Sequence, residues 1–91
     1  MSKLDECREQ IYLIDTKIIE LYEKRMAIVE DVIKYKIENN MPVLDSSREN
    51  LMLEKNIKKI MKESYKIYYE DVLKGFLKAS KDMQKDILNK K

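Results

Sequence analysis

The chain has 91 residues, of which 40% are charged, and its 19 basic and 17 acidic side chains leave a net charge of only +2. This balance argues against binding to nucleic acid or to a membrane surface, because proteins with those partners normally carry a net basic stripe. The length predicts a single domain over residues 1–91 with a small core, so oligomerisation is a reasonable expectation.

The N-terminus and the cysteine content narrow the class of protein further. The first ten residues, MSKLDECREQ, lack the apolar region of a signal peptide, and no apolar run is long enough to span a bilayer, so we expect a cytoplasmic protein. The single cysteine, Cys7, cannot form an intramolecular disulfide and is expected to be a small buried hydrophobe. Because there is no histidine, triad-like catalysis and Cys/His metal sites lack support, and neither a metal nor a cofactor is expected.

The first predicted element is a long helix. Ser2 and Asp5 can cap its start, and neither glycine nor proline interrupts the chain until the segment Asn39-Asn40-Met41-Pro42 ends it. A helix of roughly 36 residues extends ~54 Å, whereas a compact monomer of this size is only ~30 Å across. Part of its apolar face would stay exposed, which predicts a two-fold dimer in which the long helices pack on each other.

Two shorter helices are predicted to follow. Ser46 as N-cap and Glu49 three residues later form a capping box for the second helix, which fades near Glu63. A third helix is predicted from Tyr68 to Leu88. Its expected buried residues are Val72, Leu73, Phe76, Leu77, Ala79, Met83 and Ile87. No strand pattern is found, so the predicted fold class is all-α, with three helices of which the first is very long.

Apolar residues recur along the first helix at spacings of three and four. They define what we call the apolar stripe: Leu4, Cys7, Ile11, Ile14, Ile18, Leu21, Ile28, Val32 and Tyr35. Arg25 interrupts the stripe, and its charge is costly to bury unless an anion meets it. It could pair with a structural carboxylate or fix the helix register. However, Lys36 follows eleven residues later, close to three helical turns, so both cations point the same way and imply a small anionic ligand.

Further polar residues extend this cationic set. Arg8 lies seventeen residues before Arg25, about 25 Å along the helix. The two arginines of one chain are therefore too far apart to hold one small molecule, but if the helices of two subunits pair in antiparallel fashion, Arg8 of one subunit can approach Arg25 of the other. On the third helix, Ser80 and Gln84 are four residues apart and share a face. By themselves, a hydroxyl and an amide at these positions are usually surface residues and carry little weight.

The polar residues form one ordered pattern along the chain: Arg8, Arg25 and Lys36, then Pro42-Val43-x-Asp45-x-x-Arg48-Glu49, then Ser80-x-x-x-Gln84. This pattern, which covers the chain from about Leu4 to Gln84, resembles that of the all-helical (class II) chorismate mutases. The resemblance implies an intertwined homodimer of three-helix subunits with two active sites. It also implies conversion of chorismate to prephenate, on the route to phenylalanine and tyrosine.

The resemblance assigns the main roles in substrate binding and catalysis. Arg25, together with Arg8 from the partner subunit, matches the arginines that hold the two carboxylates of the substrate. Lys36 matches the lysine that reaches the ether oxygen and a carboxylate. Gln84 matches the second donor to that oxygen. These roles make Arg25, Lys36 and Gln84 the predicted catalytic residues.

The resemblance also assigns supporting roles. Glu49, with Asp45 nearby, matches the contacts to the ring hydroxyl. Ser80 matches a polar contact to the ring carboxylate, and Arg48 matches a supporting cation. The stretch between Glu49 and Ser80 is one residue shorter than the family pattern, and Gly75 lies within the third helix, so the phase of Ser80 and Gln84 is left open.

The implied chemistry is a pericyclic rearrangement without proton transfer or covalent intermediate, so it requires no nucleophile. It requires a compact substrate conformer, which arginines can hold, and positive charge at the breaking ether oxygen. Two alternatives stay open, an isochorismate-pyruvate lyase of the same fold and a non-enzymatic helical dimer. The length leaves no room for a fused dehydratase, dehydrogenase or regulatory domain, so a single-function enzyme is expected.

Overall fold

A computed structural model describes residues 2–43 and 46–90 of the chain. It contains the helices α1 (Lys3–Glu38), α2 (Ser46–Lys58) and α3 (Lys66–Asn89), with a short 3₁₀ turn, Glu63–Tyr65, before α3. The described residues include no strand, and the predicted all-α class with one very long helix is confirmed. None of the helices within these residues has the length and apolarity needed to cross a membrane.

Helix α1 begins and ends where the sequence predicts. At its start, Ser2 Oγ accepts a hydrogen bond of 3.2 Å from the Asp5 backbone N–H, which satisfies a donor that the helix start leaves unpaired. At its end, Asn40 adopts a left-handed conformation with a φ of 56°. The Met41 N–H then donates to the Lys36 carbonyl at 2.8 Å, as in a Schellman C-cap. This cap turns the chain back toward the last turn of α1.

Helix α2 differs from the prediction at both ends. It begins at Ser46 itself, so Ser46 is a helical residue and not the N-cap of a capping box. The preceding residue, Asp45, lies outside the described residues. The helix ends at Lys58, several residues before its predicted end. The N–H groups of Lys59 and Ile60 bond to carbonyls three residues back, both at 3.1 Å, and this tighter turn ends the α-helix.

Helix α3 is the central element of the packing, since it contacts both α1 and α2. It begins two residues before the predicted start and ends one residue after the predicted end. Leu73 and Leu77 of α3 are buried, and Ile33 of α1 is fully shielded from solvent. Val72, which was expected to be buried, is exposed, because it lies on a face of α3 that neither neighbouring helix covers.

The apolar stripe of α1 lies on the surface of the chain. Apart from Cys7, which is half-buried, every member is between 40% and 63% exposed. Helix α3 packs instead on a neighbouring face of α1, the one that carries Ile33. The radius of gyration is 16.7 Å, against about 12 Å for a compact monomer of this length. The first half of α1 therefore projects from the rest of the chain with its apolar stripe uncovered.

Candidate active site

Arg25 is held in place by two residues of α3. Its Nη1 donates a hydrogen bond of 2.6 Å to Ser80 Oγ, and Ser80 Oγ donates to the Phe76 carbonyl at 3.0 Å. The Phe76 ring also lies beneath the guanidinium, with 5.8 Å between Arg25 Cζ and the ring centroid, within the range of a cation–π contact. Because Ser80 is only 6% exposed, this contact fixes one edge of the guanidinium and leaves its other N–H groups for a ligand.

Within the described part of the chain, no structural carboxylate neutralises the charge of Arg25. Among residues 2–43 and 46–90, no aspartate or glutamate lies within ion-pair distance of Arg25 or of Lys36. Both side chains are half-buried. Partly buried cations without an anionic partner are costly, and this favours an anionic ligand over the alternative of an internal ion pair.

The two cations share a cavity of about 250 Å³ where the three helices come together. We call it the cationic cavity, and its wall consists of Arg25, Ile28, Val29, Val32, Lys36, Arg48, Met52 and Gln84. Its polar groups are three cations and one neutral amide, and its remaining wall is aliphatic. A small anion with an apolar body fits such a lining, since the cations meet the carboxylates and the aliphatic side chains contact the carbon skeleton.

Lys36 is oriented by the turn that follows α1. Its Nζ donates a hydrogen bond of 3.3 Å to the Val43 carbonyl. The Schellman cap brings this carbonyl back beside the last turn of the helix. An ammonium has three donors, so two N–H groups of Lys36 are left for a ligand in the cavity. The turn around Val43 therefore positions this lysine.

Glu49 lies beside the cationic cavity and is not part of its wall. Its Oε2 is 2.9 Å from Lys81 Nζ on α3. Both residues line a second cavity of about 260 Å³, which we call the adjoining cavity and which also contains Asn50, Leu53, Lys74, Leu77 and Lys78. Asp45, the other predicted contact to the ring hydroxyl, lies outside the described residues.

Arg8 does not reach the cationic cavity of its own chain. It is exposed on the projecting half of α1, about 25 Å from Arg25 along the helix axis. The structure thus brings Arg25, Lys36, Arg48 and Gln84 into one wall and places Ser80 behind Arg25. Arg8 lies apart from them on the exposed surface of α1.

Sequence reasoning missed the residues that orient the predicted ones. Phe76 lies four residues before Ser80, so the helical spacing already places both on one face of α3. Val43 acts through its backbone carbonyl, for which side-chain type gives no signal. Lys81 is one of many lysines in this chain, and its pairing with Glu49 depends on how α2 and α3 pack.

A lysine–aspartate pair lies on the surface of α3, away from the cationic cavity. Lys78 Nζ donates a hydrogen bond of 2.8 Å to Asp82 Oδ2. This hydrogen bond raises the pKa of Lys78 and lowers the pKa of Asp82 from their ordinary values. Because both side chains are exposed, the pair contributes little to stability. Lys78 is therefore a suitable control for lysines that act on the site.

The fold and the cavity define a class of protein, an all-helical chain whose three helices meet around a cationic cavity. The family model for chorismate mutase type II matches residues 7–85. This range contains every residue of the cationic cavity wall. The chain belongs to the type II chorismate mutase family, and the resemblance read from the polar residues is confirmed.

Curated relatives agree with this assignment. The chorismate mutase of Methanocaldococcus jannaschii is 35% identical over 63 residues, which are 69% of this chain and 63% of that protein. The T-protein of Haemophilus influenzae is 31% identical over 81 residues, 88% of this chain and 22% of that protein. The bifunctional chorismate mutase/prephenate dehydratase of Buchnera aphidicola is 42% identical over 48 residues, 53% of this chain and 12% of that protein. The chain thus spans less than two thirds of the length of each.

Proposed function

We propose that this chain is a chorismate mutase that converts chorismate to prephenate in phenylalanine and tyrosine biosynthesis, and that residues 1–91 form a single catalytic domain. The observation that carries the proposal is the cationic cavity, where Arg25 and Lys36, which have no acidic partner among the described residues, line the same space as Gln84. Chorismate is a small dianion with an apolar ring, and its two carboxylates match the charge of the wall. Family membership supports the reaction type.

Arg25 serves to hold one substrate carboxylate. Its guanidinium is anchored by Ser80 and stacked on Phe76, so its remaining N–H groups are already oriented when the substrate arrives. A planar guanidinium can hold a carboxylate by two hydrogen bonds. Fixing the carboxylates selects the compact conformer in which the ends of the new C–C bond are close, which lowers the entropic part of the barrier.

Lys36 and Gln84 act at the ether oxygen. In the rearrangement the C–O bond breaks as the C–C bond forms, and negative charge develops on this oxygen. A lysine from α1 and an amide from α3 line the same cavity, where they can donate to the oxygen from two sides. Donors that are already in place for a developing charge stabilise the transition state more than the ground state.

Ser80, Arg48 and Glu49 have supporting roles. Ser80 fixes Arg25, and a direct contact to the ring carboxylate requires its hydroxyl hydrogen to leave the Phe76 carbonyl. Arg48 adds positive charge to the wall. Glu49 contacts the ring hydroxyl from the edge of the cavity, and Asp45 is proposed to assist it.

The functional unit is a homodimer in which Arg8 enters the partner's active site. An uncovered apolar stripe of this length needs a matching surface, and the stripe of a second copy supplies one under two-fold symmetry. An apolar groove of about 220 Å³, lined by Ile18, Leu21, Tyr22, Arg25 and Phe76, runs from the stripe to Arg25. The partner's α1 lying along this groove in antiparallel orientation brings its Arg8 to the second substrate carboxylate.

The test is prephenate formation by the purified protein. We expect chorismate to be consumed and prephenate to accumulate in equal amounts, without added metal or cofactor. A parallel reaction with isochorismate should yield no salicylate or pyruvate. Salicylate formation without prephenate would identify a lyase, and the absence of both products from a folded dimer would reject an enzymatic function.

A further inference from the structure

The ion pair between Glu49 and Lys81 joins two helices next to the cationic cavity. Glu49 Oε2 and Lys81 Nζ are 2.9 Å apart, and their side chains are 19% and 42% exposed, respectively. The four other ion pairs given by the described residues join side chains only three or four positions apart in sequence. The Glu49–Lys81 pair therefore depends on the packing of α2 against α3, and it is partly shielded from solvent.

Each partner is close in sequence to a residue of the cationic cavity. Glu49 follows Arg48 on α2, and Lys81 lies three residues before Gln84 on α3. Arg48 and Gln84 line the cationic cavity, whereas Glu49 and Lys81 line the adjoining cavity. The ion pair thus joins α2 and α3 within one helical turn of two residues that line the cationic cavity.

At this location, Lys81 can keep the Glu49 carboxylate from pairing with the cations of the cationic cavity. A carboxylate beside a cavity with several cations is attracted to them, and an ion pair with Arg25 or Lys36 would neutralise the charge that a dianionic substrate needs. In the structure, the Glu49 carboxylate is bound instead by Lys81, and both residues line the adjoining cavity. One carboxylate oxygen is occupied by the ammonium, and the other is left as an acceptor.

We propose that Lys81 is a positioning residue that holds the Glu49 carboxylate at the edge of the cationic cavity, where it accepts a hydrogen bond from the ring hydroxyl of chorismate. This inference rests on the proposed function. It makes Lys81 a determinant of specificity for the hydroxylated ring, although its own ammonium does not touch the substrate.

The proposal predicts which kinetic constant changes. The ring hydroxyl takes no part in bond making or breaking, so its contact is equally strong in the ground state and in the transition state. Loss of such a contact raises KM and changes kcat little. We expect Lys81→Met to raise KM for chorismate about tenfold, with kcat within about twofold of wild type.

Two matched variants separate this role from general effects of charge and packing. Lys78→Met removes a lysine from the same helix and the same adjoining cavity, but its partner is the exposed Asp82, and KM should not change. Lys81→Arg retains a cation that can reach Glu49 and should restore most of the lost affinity. Restoration by arginine is not expected if methionine merely disturbs the packing.

The decisive experiment is a double-mutant cycle of Lys81→Met with Glu49→Gln, measured with chorismate and with its analogue lacking the ring hydroxyl. In the Glu49→Gln background, Lys81→Met should raise KM for chorismate by less than about twofold. It should have no effect on KM for the dehydroxy analogue. A full tenfold increase in either case, or equal effects of Lys81→Met and Lys78→Met, would overturn the proposal.

Failure of the proposed function gives a different result. If the wild-type protein forms no prephenate, the catalytic assignment fails. In that case, binding of chorismate and of the dehydroxy analogue still tests the positioning role. It is measured by calorimetry on the wild type, Lys81→Met, Glu49→Gln and the double variant. Discrimination between the two ligands that is lost equally in Lys81→Met and Glu49→Gln supports it, and no loss in Lys81→Met refutes it.

Discussion

Replacement of Lys36 by alanine separates the structural role of this residue from its proposed catalytic role. The structural loss is one hydrogen bond of 3.3 Å to the Val43 carbonyl at the end of α1, which corresponds to about 1 kcal/mol of the free energy of unfolding. The catalytic loss is one of the two donors proposed for the ether oxygen. Removal of a comparable oxyanion donor costs ~10² to 10³ in kcat, about 2.7–4 kcal/mol. We therefore expect kcat to fall at least ~10²-fold in a protein that remains folded.

The measurement is kcat for prephenate formation at saturating chorismate, with helix content checked by circular dichroism. Lys34→Ala is the matched control, because Lys34 lies two residues away on the same helix and forms only an exposed pair with Glu30 at 3.7 Å. Its kcat should be unchanged. A near-wild-type kcat in folded Lys36→Ala would refute the reasoning. If only KM increases, Lys36 binds a substrate carboxylate and does not act at the ether oxygen.

Three further predictions concern stability and assembly. Gly75→Ala should raise the free energy of unfolding in urea by about 0.5–1 kcal/mol, because Gly75 lies inside α3 and an added Cβ meets, apart from the adjacent backbone of its own helix, no atom of the described residues within 4 Å. Destabilisation would contradict the helix packing. Ile33→Ala should lower the free energy of unfolding by about 3 kcal/mol, because Ile33 is fully buried. A loss below ~1 kcal/mol would show that Ile33 is not a core residue. Leu21→Glu should shift the dimer toward monomer in sedimentation, because Leu21 belongs to the stripe and is 63% exposed. Tyr12→Glu, on another face of α1, should leave the dimer intact.

Much of the fold could be predicted from the sequence because its signals are local. The end of α1 follows from Asn40, which tolerates a left-handed conformation, and from the proline after it. The start of α1 follows from the Ser2 cap. The end of α2 was predicted too late, since Ile60 and Met61 continue the apolar pattern beyond the point where the backbone tightens into a turn.

The packing of α1 could not be predicted in the same way. Its most regular apolar row is the stripe, yet the residue that α3 buries is Ile33, which is not a member. Both faces of α1 carry apolar residues, and helical spacing does not tell which face packs within the chain and which stays exposed. That choice depends on where the turn after α1 directs α2 and α3.

The charged residues of the candidate site could be predicted from the sequence, but the contacts between them could not. Arg25 and Lys36 share a face because eleven residues make about three turns, and the structure places both in one wall. The hydrogen bond between Arg25 and Ser80 joins residues 55 positions apart, and the pairing of Glu49 with Lys81 joins two different helices. Such contacts depend on tertiary packing, which residue type and spacing do not specify.

The central claim is that a catalytic site is completed by Arg8 of a second copy, and complementation between two inactive variants tests it most directly. Arg8→Ala and Arg25→Ala should each be nearly inactive as homodimers. In a co-refolded equal mixture, half of the dimers are mixed, and one of the two sites in each mixed dimer carries both intact arginines, so prephenate formation should recover to about a quarter of the wild-type rate. No recovery, although mixed dimers are demonstrably present, would mean that Arg8 does not act across the dimer and would contradict the shared-site account.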